Sequence, residues 1–241
     1  MSVGVLDGRV ALVAGASSGI GLATALAFAD AGARVHAAAR RVDAIERAAG
    51  DRVVAHALDV TDRAAVAQLA QRLATAEPLH ALVVAAGTNV RQRRLGELTP
   101  EDWDRLVDTN LTGAFNLVHA FLPAVRETRG DVVLIGSVSG AWPDGSGPAY
   151  QATKAGLLAL ARGGAFEGRE GVRFTTIAPG MVDTPILENR PQPPDGRTRA
   201  QMLLAEDVAA ACLFTVSLPP RAHVPELTIL PTALQALGRT A

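Results

Sequence analysis

A single cysteine, Cys212, stands in the 241 residues. That excludes a disulfide framework and a thiolate-bound metal cluster. The five histidines (His36, His56, His80, His119 and His223) lie far apart, with no HxxxH or HExxH spacing to hold zinc, so no metal site is expected. Neither sign of charge is in excess: 23 basic against 24 acidic residues leave a net charge of −1. Such a balance gives no footprint for nucleic acid or for an anionic membrane surface. No apolar run reaches the length of a transmembrane helix. The N-terminal stretch carries Asp7 and Arg9 but no charged region ahead of an apolar run, unlike a signal peptide. These absences point to a soluble cytoplasmic protein. Aromatic residues make up only 4%, and Tyr150 is the one tyrosine. What the chain does have is apolar aliphatic material: 49% hydrophobic residues, enough for one large core and too many for disorder.

Short apolar runs alternate with helical patterns along the whole length. Strand-like runs are Arg9–Ala14, Arg34–Ala39, Arg52–Leu58, His80–Ala85, Asp131–Gly136, Val172–Ile177 and Glu226–Leu230. Between them the pattern predicts helices over Ile20–Ala31, closed by Gly32, and over Val42–Ala49. Another follows over Asp62–Ala76, with Thr61 as its cap. Thr99, Pro100 and Glu101–Asp102 form a helix start, and that helix is expected to run to about Glu127. Pro148–Gly168 and Ala205–Ser217 are the last two helices. The segment Pro185–Thr198, rich in Pro, Arg and Asn, reads as a mobile excursion. Seven strands alternating with helices predict an α/β fold: one doubly wound seven-stranded parallel sheet, a Rossmann fold in a single domain over 1–241. The strands are continuous apolar runs, as sheets covered on both faces require. An α/β barrel of this size needs eight strand–helix units.

Gly15-Ala-Ser-Ser-Gly19-Ile-Gly21 follows the first strand and opens the first helix. A dinucleotide pyrophosphate has to approach backbone N–H groups at a helix N-terminus, where the dipole favours negative charge. Side chains at these three positions would block that approach or the packing of helix on strand. The alternative is an ordinary strand-to-helix turn in a glycine-rich chain. The position after the first strand favours the cofactor.

The GxxxGxG spacing resembles the glycine motif of the short-chain dehydrogenase/reductase family. Further motifs strengthen the likeness in order along the chain: Asn110 in DTNLTG, Ser137 in LIGSVSG, Tyr150-Gln-Ala-Thr-Lys154, and Pro179-Gly180 in IAPGMVDTP. The resemblance covers nearly the whole length. It implies a nicotinamide cofactor bound by Gly15, Ser17, Ser18, Gly19, Ile20 and Gly21. Asp59 and Val60 would lie near the adenine, and Ala86 and Gly87 near the ribose. Pro179, Gly180, Val182 and Thr184 would follow the sixth strand along the cofactor. Where the family usually shows Asn-Asn-Ala-Gly, this chain has Val84-Ala85-Ala86-Gly87. The side-chain amides that brace the sheet are therefore missing.

The end of the second strand bears on the choice of cofactor. An acidic residue there would accept from the ribose hydroxyls of NAD and repel a 2′-phosphate. Here the residues are Ala38-Ala39-Arg40-Arg41. Arg40 offers a donor fork suited to phosphate, so NADP(H) is expected over NAD(H), unless the two arginines are merely solvated charges.

Tyr150 and Lys154 share one helix face. Carbonyl reduction needs a hydride on carbon and a proton on oxygen. A phenol can give the proton, and a nearby ammonium is expected to lower its pKa from about 10. By resemblance Lys154 also holds the nicotinamide ribose, Ser137 binds the substrate oxygen, and Asn110 orders a water that links Lys154 to solvent. The substrate expectation is a small to medium ketone, aldehyde or alcohol in a pocket lined by Ser137, Ser139, Trp142 and Tyr150, with Val90, Met181 and Ile186 nearby and 184–202 as a short lid. Trp142 reads equally well as a packing aromatic. Arg91, Arg93 and Arg94 form a basic cluster. It is either a solvated face or a docking patch for an acidic acyl carrier protein, which would make the chain a 3-oxoacyl reductase. A non-catalytic cofactor-sensing protein is a further alternative, against which both Tyr150 and Lys154 weigh. The family's helix pair suggests a homodimer or homotetramer, although the ending PELTILPT departs from the glycine-rich strand end that often packs in the tetramer.

Overall fold

The computed structural model describes residues 4–168 and 171–234. Strands β1 (Val10–Ala14), β2 (Arg34–Ala39), β3 (Val54–Ala57), β4 (Ala81–Val84), β5 (Asp131–Ile135), β6 (Arg173–Pro179) and β7 (Glu226–Ile229) form one parallel sheet. Their order across it is β3-β2-β1-β4-β5-β6-β7. Helices α1 (Gly19–Asp30), α2 (Val42–Ala49) and α8 (Ala205–Ser217) pack on one face. Helices α3 (Arg63–Ala76), α5 (Gly113–Thr128) and α6 (Pro148–Glu167) pack on the other. The short α4 (Pro100–Val107) and α7 (Gly196–Arg199) lie in the connections.

The two faces explain the apolar runs. In β1, Ala11 and Val13 enter the core under α1 and α8, while Val10, Leu12 and Ala14 enter the core under α3 and α5. All five are buried, so no polar alternation survives in the sequence. The chain order reverses between β1 and β4, and the crevice beyond the strand ends at such a reversal is where open α/β sheets take ligands. Cys212 is fully buried in the seam between α8 and α1, where Thr24 Oγ1 donates to its sulfur at 3.8 Å. Burial pushes the thiol pKa up to about 12.

Several boundaries differ from the sequence expectation, each for a local reason. Residues Gly50–Arg52 make a 3₁₀ turn, which shortens the third strand to Val54–Ala57. The cap of α3 is Asp62, not Thr61. Asp62 Oδ1 accepts from Ala65 N at 3.0 Å, while Thr61 spends its N–H and hydroxyl on Asp59 Oδ1. Thr99 does cap α4, accepting from Asp102 N. The single helix expected from Pro100 to Glu127 is two helices joined by a wide π turn at Asp108–Thr112. The segment read as mobile holds a 3₁₀ turn at Pro185–Asn189 and the one-turn α7. Arg199 ties it down through Asp183 at 2.8 Å and through Glu188. Residues 235–241 lie outside the described residues.

Two polar clusters stabilise the sheet away from the crevice. At its amino end, Arg173 pairs in bidentate fashion with Asp131 at 2.7 and 2.9 Å. Arg173 Nη1 also donates to the carbonyls of Leu218, Pro219 and Ala222. Burial raises the Asp131 pKa even against that guanidinium. On the outer strands, His36 Nδ1 lies 2.8 Å from His56 Nε2, and His36 Nε2 lies 2.8 Å from Glu77 Oε1. Burial, then the charges of His36 and Arg72, lower His56 to about 4.

Candidate active site

A cleft of about 1200 Å³ runs along the carboxyl edge of the sheet. Its floor is the β1–α1 turn. Gly15 has φ +86, and a Cβ there would sit 2.4 Å from Ala86 N. A Cβ on Gly21 would sit 2.3 Å from Gly15 O. Both spacings leave room for hydrogen only, so the turn folds flat against the end of β4. Ser17, Ser18, Gly19 and Ile20 face the cleft from the same turn. Helix α1 has no side-chain cap at Ser18 and no acid in its first turn, which leaves its positive end to an anion.

Along one wall, Arg40 and Arg41 leave β2, and Asp59 and Val60 leave β3. Arg41 Nη2 donates to Ser17 Oγ at 3.2 Å. The Thr61 N–H holds the Asp59 carboxyl below its usual range, helped by the Thr61 hydroxyl and the charge of Arg40. Ala86 and Gly87 line the middle. Pro179, Gly180, Val182 and Thr184 follow β6 on the far side, and Met181 and Ile186 join them.

At the other end Ser137, Ser139, Tyr150 and Lys154 meet, beside Val90. Ser137 ends β5 and Tyr150 begins α6, so two neighbouring elements bring their side chains to one spot. Lys154, one turn further along α6, is buried, donates from Nζ to Ile135 O at 2.8 Å, and stands 5.6 Å from the Tyr150 ring centre. Burial lowers Lys154 to about 8. Burial also raises Tyr150 to about 12, with the Ser137 hydroxyl and the charges of Arg190 and Arg93 opposing and Asp144 assisting. The expected depression of the phenol by Lys154 is therefore overturned. Desolvation dominates, and the ammonium is directed to a backbone carbonyl.

Asn110 sits behind the cleft, in the π turn, fully buried. Its Oδ1 accepts from Thr88 N at 2.8 Å, and its Nδ2 donates to Thr88 O and to Thr153 Oγ1. The loop after β4, which lacks the family's paired amides, is thus braced from the next helix, and through Thr153 to α6. Trp142 is not in the cleft. It is 38% exposed and borders an adjoining cavity of about 60 Å³ with Ser137, Lys154, Thr176, Glu226 and Thr228. The basic cluster also breaks up: Arg93 is buried, with Nε on Val90 O and Nη2 on Asn189 O, leaving Arg91 and Arg94 exposed.

The family model for short chain dehydrogenases matches residues 9–195. The chain belongs to the short-chain dehydrogenase/reductase family. Among curated members of that family, sulfoacetaldehyde reductase 2 of Chromohalobacter salexigens is 33% identical over 92% of this chain and 94% of its own. The 3-oxoacyl-acyl-carrier-protein reductase of Thermotoga maritima is 30% identical over 88% and 92%. Among solved members, an alcohol dehydrogenase from Thermococcus sibiricus, complexed with 5-hydroxy-NADP, superimposes with a TM-score of 0.85 at 29% identity, covering 95% of this chain and 98% of that one. The flat glycine turn, the uncapped α1 terminus and the elongated cleft all fit the dinucleotide such dehydrogenases use.

Sequence reasoning missed three polar residues in this dehydrogenase's cleft: Asn89, Asp144 and Arg190. Asn89 is buried and donates to Ser146 O. Asp144 accepts from Ser139 Oγ at 2.5 Å and from Ser146 N at 2.8 Å. All three lie in loops, where no periodicity marks a side chain as inward.

Proposed function

We propose that the protein is an NADP(H)-dependent oxidoreductase that interconverts a ketone or aldehyde and an alcohol, with Tyr150 as general acid and base. The observation that carries this reading is the meeting of Ser137, Tyr150 and Lys154 at one end of a cleft whose other end holds the α1 terminus and Arg40. The glycine turn and α1 would hold the pyrophosphate, and Arg40 the 2′-phosphate; no carboxylate stands at the end of β2 to repel it. A nicotinamide bound there supplies the hydride in reduction and takes it up in oxidation.

The protein's own part is the proton. Burial keeps Tyr150 protonated at neutral pH, the state in which it donates to a carbonyl oxygen as that oxygen gains charge. The Ser137 hydroxyl supplies a second hydrogen bond to the same oxygen. Lys154, bonded to Ile135 O beside the Tyr150 ring, would hold the nicotinamide ribose. Asn110 fixes the Thr88 loop and Thr153, and so the start of α6.

The carrier-protein reading now rests on Arg91 and Arg94 alone, since Arg93 is turned inward. The sensing reading is weakened because Tyr150 and Lys154 both line the cleft. As a lid, the segment 184–202 would cover the cleft from the β6 side, where Thr184, Pro185, Ile186 and Leu187 line it. Phe115 and Phe166 expose large apolar surface on α5 and α6, which supports a homodimer or homotetramer. The test is Tyr150→Phe. Turnover of a ketone panel with NADPH is expected to fall by about 10²–10⁴-fold while NADPH still quenches tryptophan fluorescence. Near-full turnover would overturn the assignment.

A further inference from the structure

Ser137 does not stand alone at its end of the cleft. Its hydroxyl donates to Ser139 Oγ at 3.0 Å, and the Ser139 hydroxyl donates to Asp144 Oδ2 at 2.5 Å. Ser146 Oγ lies 3.1 Å from Ser139 Oγ, and the Ser139 N–H donates back to Ser137 Oγ at 3.1 Å. Asp144 is itself held in place. The Ser146 N–H donates to its Oδ1 at 2.8 Å, and Gln151 Nε2 donates to its backbone carbonyl at 2.9 Å. Ser139 and Ser146 are buried, and all four side chains line the cleft. Among the described residues no hydrogen bond joins Ser137 directly to Asp144, so Ser139 stands between them. Hydride and proton transfer as such need neither Ser139 nor Asp144.

Counting protons fixes the direction of this chain. A hydroxyl has one proton and two lone pairs, and a carboxylate has lone pairs only. The Ser139 proton is committed to Asp144, so Ser139 Oγ accepts from Ser137 and from Ser146. The Ser137 proton is in turn committed to Ser139. One of its lone pairs takes the Ser139 N–H, so Ser137 offers the cleft a single lone pair and no proton. An alcohol O–H meets an acceptor there with nothing rearranged. A carbonyl oxygen meets a donor only after the Ser137 proton turns away from Ser139, at the loss of one hydrogen bond. We propose that Asp144 is a positioning residue: acting through Ser139, it holds Ser137 as an acceptor and so biases the site towards the alcohol over the carbonyl. This rests on the carbonyl-reductase reading and adds which partner of that reaction the resting site is shaped for. One neutral hydrogen bond sets the bias at about 3–10-fold.

Asp144→Asn reverses the order. The Ser146 N–H keeps the amide oxygen in the place of Oδ1, which sets the amide nitrogen, a donor, against Ser139 Oγ. Ser139 then has a proton to give, and Ser137 is free to turn its own into the cleft. The experiment measures binding of cyclohexanone with NADP⁺ and of cyclohexanol with NADPH, pairs that cannot react, by calorimetry. In Asp144→Asn the ketone is expected to bind about 3–10-fold tighter and the alcohol weaker by a similar factor. A merely structural loss weakens both, so shifts in the same direction, or none, overturn the proposal. In Ser139→Ala the link is gone, and adding Asp144→Asn is expected to move neither. Urea unfolding needs no ligand and decides alone where neither probe binds. The midpoint losses of Ser137→Ala and Asp144→Asn are expected to be non-additive while Ser139 is present and additive in Ser139→Ala. Additive losses with Ser139 present overturn the proposal. Coupled unfolding without reduction of any carbonyl compound sinks the reductase reading alone, and reduction with additive unfolding sinks the positioning role alone.

Discussion

Gly15→Ala tests the cradle where fold and cofactor binding share one atom. Gly15 has φ +86, and an added Cβ would lie 2.4 Å from Ala86 N and 2.7 Å from Ala85 C. Both neighbours are backbone, and Ala85 N is bonded to Ala14 O at 2.9 Å, so neither yields without disturbing the β1–β4 ladder. Gly8, just before β1, has φ +76 but nothing within 4 Å of the same added atom. The pair separates strain from collision. Gly8→Ala carries the backbone term alone, about 1–2 kcal/mol. Gly15→Ala carries that term plus overpacking of about 1–3 kcal/mol, for a total of about 2–5 kcal/mol. Urea unfolding of both variants gives the difference directly, provided the m-value is unchanged. An NADPH titration of each follows, with weakening expected for Gly15→Ala only. If the two variants lose stability to within about 0.5 kcal/mol of each other, the collision is not real and the close approach of turn to strand is refuted.

Three further outcomes are expected. Arg40→Ala is expected to weaken NADPH by about 10–100-fold, the worth of a charge-assisted hydrogen bond, and NADH far less; equal losses would remove Arg40 from the 2′-phosphate. Asp131→Asn leaves the Arg173 guanidinium buried without its anion and is expected to cost about 3–5 kcal/mol in urea unfolding, a loss below 1 kcal/mol showing that Arg173 finds other support. His56 sits at about 4 in the folded protein against 6.5 unfolded. The unfolded chain therefore holds more protons across that window, and stability falls as pH drops from 6.5 towards 4. The half-exposed ring limits this to roughly 1 kcal/mol. His56→Gln should flatten that part of the urea-midpoint profile, and parallel profiles would refute the assignment.

What the sequence made legible is what local chemistry dictates. The Gly15–Gly21 turn, the Tyr150–Lys154 spacing and the apolar strand runs each follow from neighbours within a few residues, and the doubly wound parallel sheet followed from the alternation of those runs with helices. The misplaced features depend on distant partners. Arg93 looks like a surface charge until Asn189 and Val90 are seen to take its N–H groups. Nothing near Asn110 announces that it braces Thr88, because no proline or glycine within Asp108–Thr112 marks the π turn that aims it. Trp142 was an even choice between lining and packing, and it borders an adjoining cavity in place of the cleft, with distant Thr176 and Thr228. The phenol pKa went astray for a related reason: a spacing of four residues fixes a shared face, not the direction in which an ammonium donates.

The seam that encloses Cys212 has a practical consequence. Thiol reagents and peroxide act on the thiolate, and a thiol with a pKa of about 12, sealed between α1 and α8, presents almost none. The native protein thus keeps its sole sulfhydryl out of reach, and labelling proceeds only as fast as α8 lifts from α1. Because α1 begins at the cradle, that clock reads how firmly the floor of the cleft is clamped, and any ligand that steadies the floor slows it.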